Sequence, residues 1–212
     1  EDYLKKYEAF SDRPFLQQFY AVLHQMDDEI GRLVDEVDEL GLAEKTMFVV
    51  TSDNGPTAWP RYYNQGYEAP GSTGGMRGRK WSLYEGGVGM PLIVRWKGKV
   101  PAGIVDETTV SSAVDFFPTF CKIAGVTAPD ADFDGEDMSA AYLGKPTTRS
   151  KALFWEYGRD KSYLKSAHPL DQSPNLAVRD GDWKLLINDD GTRIELYDLS
   201  GSDREYHNVA GQ

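Results

Sequence analysis

Along residues 15–40 the apolar positions Leu16, Phe19, Leu23, Met26, Ile30, Leu33, Val37 and Leu40 follow alternating steps of three and four. That spacing puts all eight on one face of a helix. Ser11 or Asp12 is placed to cap its start, Pro14 suits its first turn and Gly41 its stop. The heptads end where a strand pattern begins, which favours a long helix packed on a sheet over a coiled coil. Residues 46–51 (TMFVVT) form a short β-branched apolar run, suited to a strand covered on both faces, and residues 91–96 (PLIVRW) read as a second one. A helix, a brief turn and such a strand is the pattern of an α/β sheet.

Residues 111–124 (SSAVDFFPTFCKIA) predict a helix that Pro118 kinks or interrupts and Gly125 closes. Residues 126–151 are rich in Pro, Asp, Gly and Thr and mark a boundary. Beyond them ALFWEY, LAVRDGDWKLLIN and RIELYDL read as short strands, with Asp180-Gly181 and Asp190-Gly191 as turn signals. The expected division is an α/β part over residues 1–150 and a small antiparallel β subdomain over 151–212.

Composition narrows the function classes. A net charge of −11 over 212 residues argues against general binding to nucleic acid or anionic membranes. The charge is local, however: Arg61, Arg77, Arg79 and Lys80 face only Glu68 between residues 61 and 80, so a cationic pocket fits inside an acidic protein. Cys121 is the only cysteine, which leaves no internal disulfide and no cysteine-based zinc cluster. The opening EDYLKKYEAF carries no initiator Met, signal peptide or membrane span and reads as a chain entered midway.

The chemistry gathers in two segments. In TSDNG, Asp53 and Asn54 sit at the carboxyl end of a predicted strand, where ligands collect in parallel α/β sheets. A carboxylate beside an amide carbonyl offers hard oxygen donors, suited to Ca²⁺ or Mg²⁺ rather than Zn²⁺. Gly55 lets the backbone turn away at once, although a plain Asx turn explains the same residues. In GGMRGRKWSLYEGG, glycines allow close approach of a ligand and Arg77, Arg79 and Lys80 supply cations for an oxyanion. Lys80 also suits protonation of a leaving alkoxide where desolvation lowers its pKa.

Other motifs fall away. Asp130, Asp132, Asp134 and Gly135 match half of an EF-hand loop, but its twelfth position is Ala141. His24 lies on the long helix, His168 and His207 lack partner spacing, and Cys121 reads as a small buried hydrophobe. The aromatic segment TAWPRYYNQGYEAPGST reads equally as a wall of a sugar-binding entrance and as a surface loop.

The ordered set MDDEIGRLVDEVDELGL, TMFVVTSDNG, GRKWSLYEGG, MPLIVRWKGKVPAG, VDFFPTFCKIAG, FDGEDMSAAYLG, AVRDGDWKLL and ELYDLSGSDREYHNVAG resembles the type I sulfatases of the alkaline-phosphatase-like superfamily. The resemblance runs from about residue 18 onward. It implies part of an alkaline-phosphatase-like α/β sheet flanked by helices, then a small antiparallel sheet. It implies hydrolysis of aryl or sugar sulfate esters with Ca²⁺ (or Mg²⁺) and a formylglycine nucleophile. Carried over residue by residue, Asp53 and Asn54 match metal ligands and Lys80 matches the lysine that touches the sulfate. The C/S-x-P-x-R motif that yields formylglycine is absent here, and Gly89 replaces the usual Arg after EGG-x. The expectation is therefore the C-terminal half of a sulfatase, inactive alone, whose partners are a sulfated substrate and the missing N-terminal half. Open sheet surface would invite self-association. The resemblance implies a periplasmic, secreted or lysosomal parent. A phosphate or phosphonate ester hydrolase of the same superfamily and a non-catalytic sulfated-glycan-binding module remain as alternatives.

Overall fold

The computed structural model describes residues 2–9, 12–64, 69–160, 162–201 and 204–211. Ser11, one of the two expected caps, and Glu68, the one acid of the basic segment, lie outside the described residues. The chain forms two compact units, residues 1–49 with 95–99 and residues 50–94 with 100–212. The C-terminal sheet, expected as a subdomain from 151 onward, shares its unit with residues 50–94 and 100–150.

The first unit is built on α1 (Asp2–Lys5) and α2 (Pro14–Glu39). The cap of α2 is Arg13, without a side-chain cap hydrogen bond, and Pro14 occupies the first turn, where its missing N–H is not needed. At the other end Gly41 takes a left-handed φ of 69°. Leu42 N–H donates to Val37 O (3.0 Å) and Gly41 N–H to Asp38 O (3.1 Å), a Schellman stop. The expected apolar stripe is present but only partly covered: Met26, Leu33 and Leu40 are more than half exposed, Leu16, Phe19, Ile30 and Val37 are half-buried, and Ala21 is the buried residue of the helix. Arg95 donates to both carboxylate oxygens of Asp38, at 2.8 and 3.1 Å.

The strands β1 (Phe48–Thr51) and β2 (Leu92–Arg95) form a two-stranded sheet. Both were expected to be covered on both faces, yet Ile93 is 61% exposed. The second unit holds α3 (Pro60–Asn64), α4 (Glu85–Val88), α5 (Phe116–Ala124) and α6 (Ser139–Tyr142). Pro118 neither kinks nor interrupts α5, because the helix starts at Phe116 and the proline falls in its first turn. A capping box between Ser112 and Asp115 leads into it, and Gly125 (φ 68°) ends it. Asp115, fully buried, accepts from Glu136 N–H (2.9 Å) and from the Arg149 guanidinium (2.5 Å). Those contacts hold Glu136, just past Asp134, against the start of α5.

Four short strands follow: β3 (Leu153–Glu156), β4 (Leu176–Asp180), β5 (Trp183–Ile187) and β6 (Glu195–Asp198). They pair antiparallel in the order β3-β4-β5-β6, with Ala177 opposite Leu186 and Lys184 opposite Tyr197. Alternation separates the faces. Leu153, Ala177, Lys184, Leu186 and Tyr197 are buried on one side, whereas Phe154 and Trp183 stand exposed on the other. Leu83 and Tyr84, from the loop before α4, pack into the buried side and complete the core.

Candidate active site

Three turns meet with no side chain between them. After β1, Asp53 is exposed, Asn54 half-buried and Gly55 buried. Gly55 N–H donates to Gly87 O at 3.0 Å. A Cβ on Gly55 would stand 1.9 Å from Gly86 O, one on Gly86 2.1 Å from Gly78 O, and one on Gly87 2.2 Å from Ser82 O. The glycines of the DNG and EGG segments are therefore demanded by backbone proximity, and Gly78 of GRK by its φ of 84° and by the Tyr84 and Ser82 side chains. Gly55 is not among the residues with positive φ, so close approach, and not the turn itself, explains it. Lys80 N–H donates to Pro56 O (3.0 Å), which lays the lysine alongside the DNG turn.

The cations of this segment divide into two kinds. Arg79 donates to the main-chain oxygens of Thr57, Ala69, Pro70 and Gly71, all within 2.7–2.9 Å. Arg77 donates to Leu170 O, Glu205 O and the Tyr197 hydroxyl, and its guanidinium lies 3.9 Å from the centre of the Tyr84 ring. Both arginines, read in sequence as oxyanion cations, hold the scaffold instead. Lys80 has no acidic partner among the described residues.

Two cavities adjoin here. One, of about 600 Å³, includes Asp53, Asn54, Trp81, Ser111 and Tyr157 in its lining. The other, of about 540 Å³, includes Asn54, Arg61, Lys80 and Trp81. Asp53 opens on the first, Lys80 on the second and Asn54 on both. The Asn54 amide nitrogen donates to Gly55 O (3.1 Å), leaving its carbonyl oxygen to accept elsewhere. The Asp53 carboxylate has no partner among the described residues. Two free hard oxygens suit Ca²⁺ or Mg²⁺ as a partial ligand set. Among the described residues no cluster of three or more His, Cys, Asp or Glu is arranged to hold a metal.

Behind these turns lies a buried ionic cluster. Lys184 Nζ donates to Glu85 Oε1 (2.8 Å) and lies 2.8 Å from Glu205 Oε1, off the hydrogen-bond direction. Glu205 Oε2 accepts from Glu85 N–H, and Arg179 donates to Glu85 Oε2 at 3.2 Å. Burial pushes the Glu205 carboxyl above the usual carboxylate range, against the pull of Lys184. The hydroxyls of Tyr84 and Tyr197 both donate to Glu195 Oε2, at 2.6 and 2.8 Å. Burial first, then Glu195, drive both phenols far above their ordinary value. The YEGG turn is thus fixed from the sheet side.

The remaining sequence candidates go elsewhere. His24 stands on α2 beside Tyr3 and Tyr7, and His168 accepts from Leu170 N–H at the start of a short 3₁₀ turn. Cys121 is half-buried on α5. Trp81 is the residue sequence reasoning missed. It follows Lys80, lines both cavities and holds a φ of 71°, which a bulky side chain rarely adopts. No composition or spacing rule marks such a residue.

The profile described as Sulfatase matches residues 1–126, and the one described as N-sulphoglucosamine sulphohydrolase, C-terminal, matches residues 77–212. Human arylsulfatase A is 29% identical, over 96% of this chain and 41% of its own length. The N-acetylgalactosamine-6-O-sulfatase of Bacteroides thetaiotaomicron is 31% identical, over 90% of this chain and 38% of its own length. The chain thus spans about two fifths of these relatives. Among solved structures, Ps i-CgsB in complex with a neocarrahexaose superposes with a TM-score of 0.75 at 22% identity, covering 98% of this chain and 42% of its own, a likeness of fold. BT4656, solved with D-glucosamine-2-N,6-O-disulfate, gives 0.66 at 27% identity over 94% of this chain and 37% of its own. With each family profile matching more than half of its residues, the chain belongs to the type I sulfatases of the alkaline-phosphatase-like superfamily.

Proposed function

We propose that this chain forms part of an enzyme that hydrolyses sulfate esters, and that it contributes Asp53 and Asn54 as metal ligands and Lys80 as the cation against the sulfate. The observation that carries this reading is the meeting of the three glycine turns, which brings the DNG and GRK segments to adjoining cavities with Asn54 common to both. Asp53 and Asn54 would supply two of the roughly six to eight oxygens that Ca²⁺ takes, so these residues alone hold it weakly. A bound cation would polarise a sulfate oxygen. Lys80, without an acidic partner among the described residues, would orient the sulfate through a charge-assisted hydrogen bond. The formylglycine has no precursor motif in this sequence and, in this reading, comes from residues outside it. The exposed part of the α2 stripe, Met26, Leu33 and Leu40, supports self-association of the chain when it is expressed alone.

The test is sulfate release from 4-nitrophenyl sulfate by the full-length protein. Lys80→Ala and Asp53→Ala should each lower kcat by about 10²-fold or more, the scale of losing one pre-set electrostatic contact. Retained activity in both variants overturns the assignment. Turnover of a phosphonate ester in place of the sulfate identifies the other hydrolase class, and binding of sulfated glycan without turnover identifies a binding module.

A further inference from the structure

A third cavity, of about 520 Å³, is lined by Trp59, Arg61, Trp81, Tyr163, Leu164 and Lys165. It shares Trp59, Arg61 and Trp81 with the cavity that holds Asn54 and Lys80, so the two adjoin across those side chains. The walls are aromatic. The Trp59 and Trp81 rings lie 5.5 Å apart at 55°, and Trp59 is 45% exposed, an open indole surface beside the candidate site.

These walls are built in place. Arg79 fixes the segment carrying Trp59 by donating to Thr57 O on one side and Ala69 O, Pro70 O and Gly71 O on the other. Ala167 N–H donates to Ala58 O (3.3 Å) and ties the Tyr163 loop to the same segment. The Tyr163 ring lies on Gly158, where a Cβ would come within 2.7 Å of it, and meets Tyr157 edge-on at 5.5 Å. Trp81 holds a left-handed backbone (φ 71°), a kind of strain that concentrates at ligand sites.

Two cations stand on this aromatic cleft. Lys165 Nζ lies 4.9 Å from the centre of the Tyr163 ring, and Arg61 is exposed. Neither has an acidic partner among the described residues, in a protein whose net charge is −11. Flat apolar walls with a few polar groups at fixed places are the usual makings of a ligand site. A sugar ring has the matching duality, with a C–H face to lie against an indole and polar substituents around its edge. An aryl group would cover the rings and leave both cations without a counterpart.

We propose that this cleft is a saccharide subsite, which takes the ring adjoining the sulfated one, with Arg61 and Lys165 meeting a carboxylate or second sulfate on that ring. The proposal rests on the sulfatase reading above and deepens it: the substrate is a polyanionic oligosaccharide rather than a small aryl sulfate.

Tyr163 and Lys165 line this cavity and neither of the other two described, which makes them the residues to change. In the full-length protein, kcat/KM is measured for 4-nitrophenyl sulfate and for tetrasaccharides of chondroitin 6-sulfate, heparin and κ-carrageenan. Lys165→Ala and Tyr163→Ala should lower the ratio of the best tetrasaccharide to the aryl sulfate by about tenfold, the scale of one charge-assisted contact. Lys165→Arg should restore most of the loss. Removing the anionic group from the neighbouring sugar should erase the effect of Lys165→Ala. An unchanged ratio overturns the subsite, as does sulfate release from the aryl ester with none from any tetrasaccharide, and both leave the sulfatase reading standing. Release from neither substrate overturns that reading and the subsite with it.

Discussion

The buried face of the four-stranded sheet and the apolar stripe of α2 carry similar side chains and differ in what lies against them. Leu186 and Tyr197 are 0% and 2% exposed, under a cover supplied by Leu83 and Tyr84, whereas Met26 and Leu33 are 52% and 57% exposed. The sheet face even accommodates charge: Lys184 and Glu205 are buried together because each is the other's counter-ion. A buried charge is tolerated when paired, and an apolar stripe contributes nothing until something covers it. Amphipathicity states which surface avoids water; it does not supply the neighbour.

The largest expected effect comes from breaking the ionic cluster. Lys184→Ala strands the Glu205 carboxyl in the core, while Glu85 keeps Arg179, and should cost about 3–5 kcal/mol, read from the urea midpoint of unfolding. A loss below about 1 kcal/mol would mean that water reaches the cluster and that the contrast between the two faces is overstated. Next in size, Leu186→Ala should cost about 2–5 kcal/mol through transfer and cavity formation. Leu33→Ala, the same kind of truncation on α2, should stay within about 0.5 kcal/mol. Equal costs at Leu33 and Leu186 would break the comparison outright.

The smallest effect concerns acid. Burial works to raise the Asp106 carboxyl, but hydrogen bonds from Thr108 and Thr109 outweigh it and hold the group down at about 2, against an ordinary 3.8. The folded value is depressed, so the contribution is fully present above pH 3.8 and is lost as pH falls through 2. Asp106→Asn should flatten stability across that acid window, lowering it near neutrality and leaving it unaltered below about pH 2. NMR titration placing Asp106 at its ordinary value would contradict the geometry of Thr108 and Thr109.

Much of the fold was legible because its signals are local. The three-and-four spacing located α2, and Gly41 stopped it. Alternation located β3 to β6, while Gly181 (φ 54°) sits in the two-residue loop joining β4 and β5. Pro118 misled only because the start of α5 depends on the Ser112–Asp115 cap, which shifts the helix by several residues. The uses of Arg77 and Arg79 were not legible. Apart from the Tyr197 hydroxyl, their acceptors are main-chain carbonyls, as far along the chain as residue 205, and carbonyls leave no mark in sequence. Gly55 was legible as a turn but not as a point of contact, since the oxygen that excludes a side chain belongs to Gly86. Trp81 gave no signal at all, because its left-handed backbone results from packing.

The hydrogen bond from Glu85 N–H to Glu205 ties the turn behind Asp53 and Lys80 to the closing stretch of the chain. A nonsense or frameshift change just ahead of codon 205 would leave Asp53 and Lys80 translated and still release that turn. In genetic terms, codons more than a hundred positions from those that specify the site are needed to hold it in place.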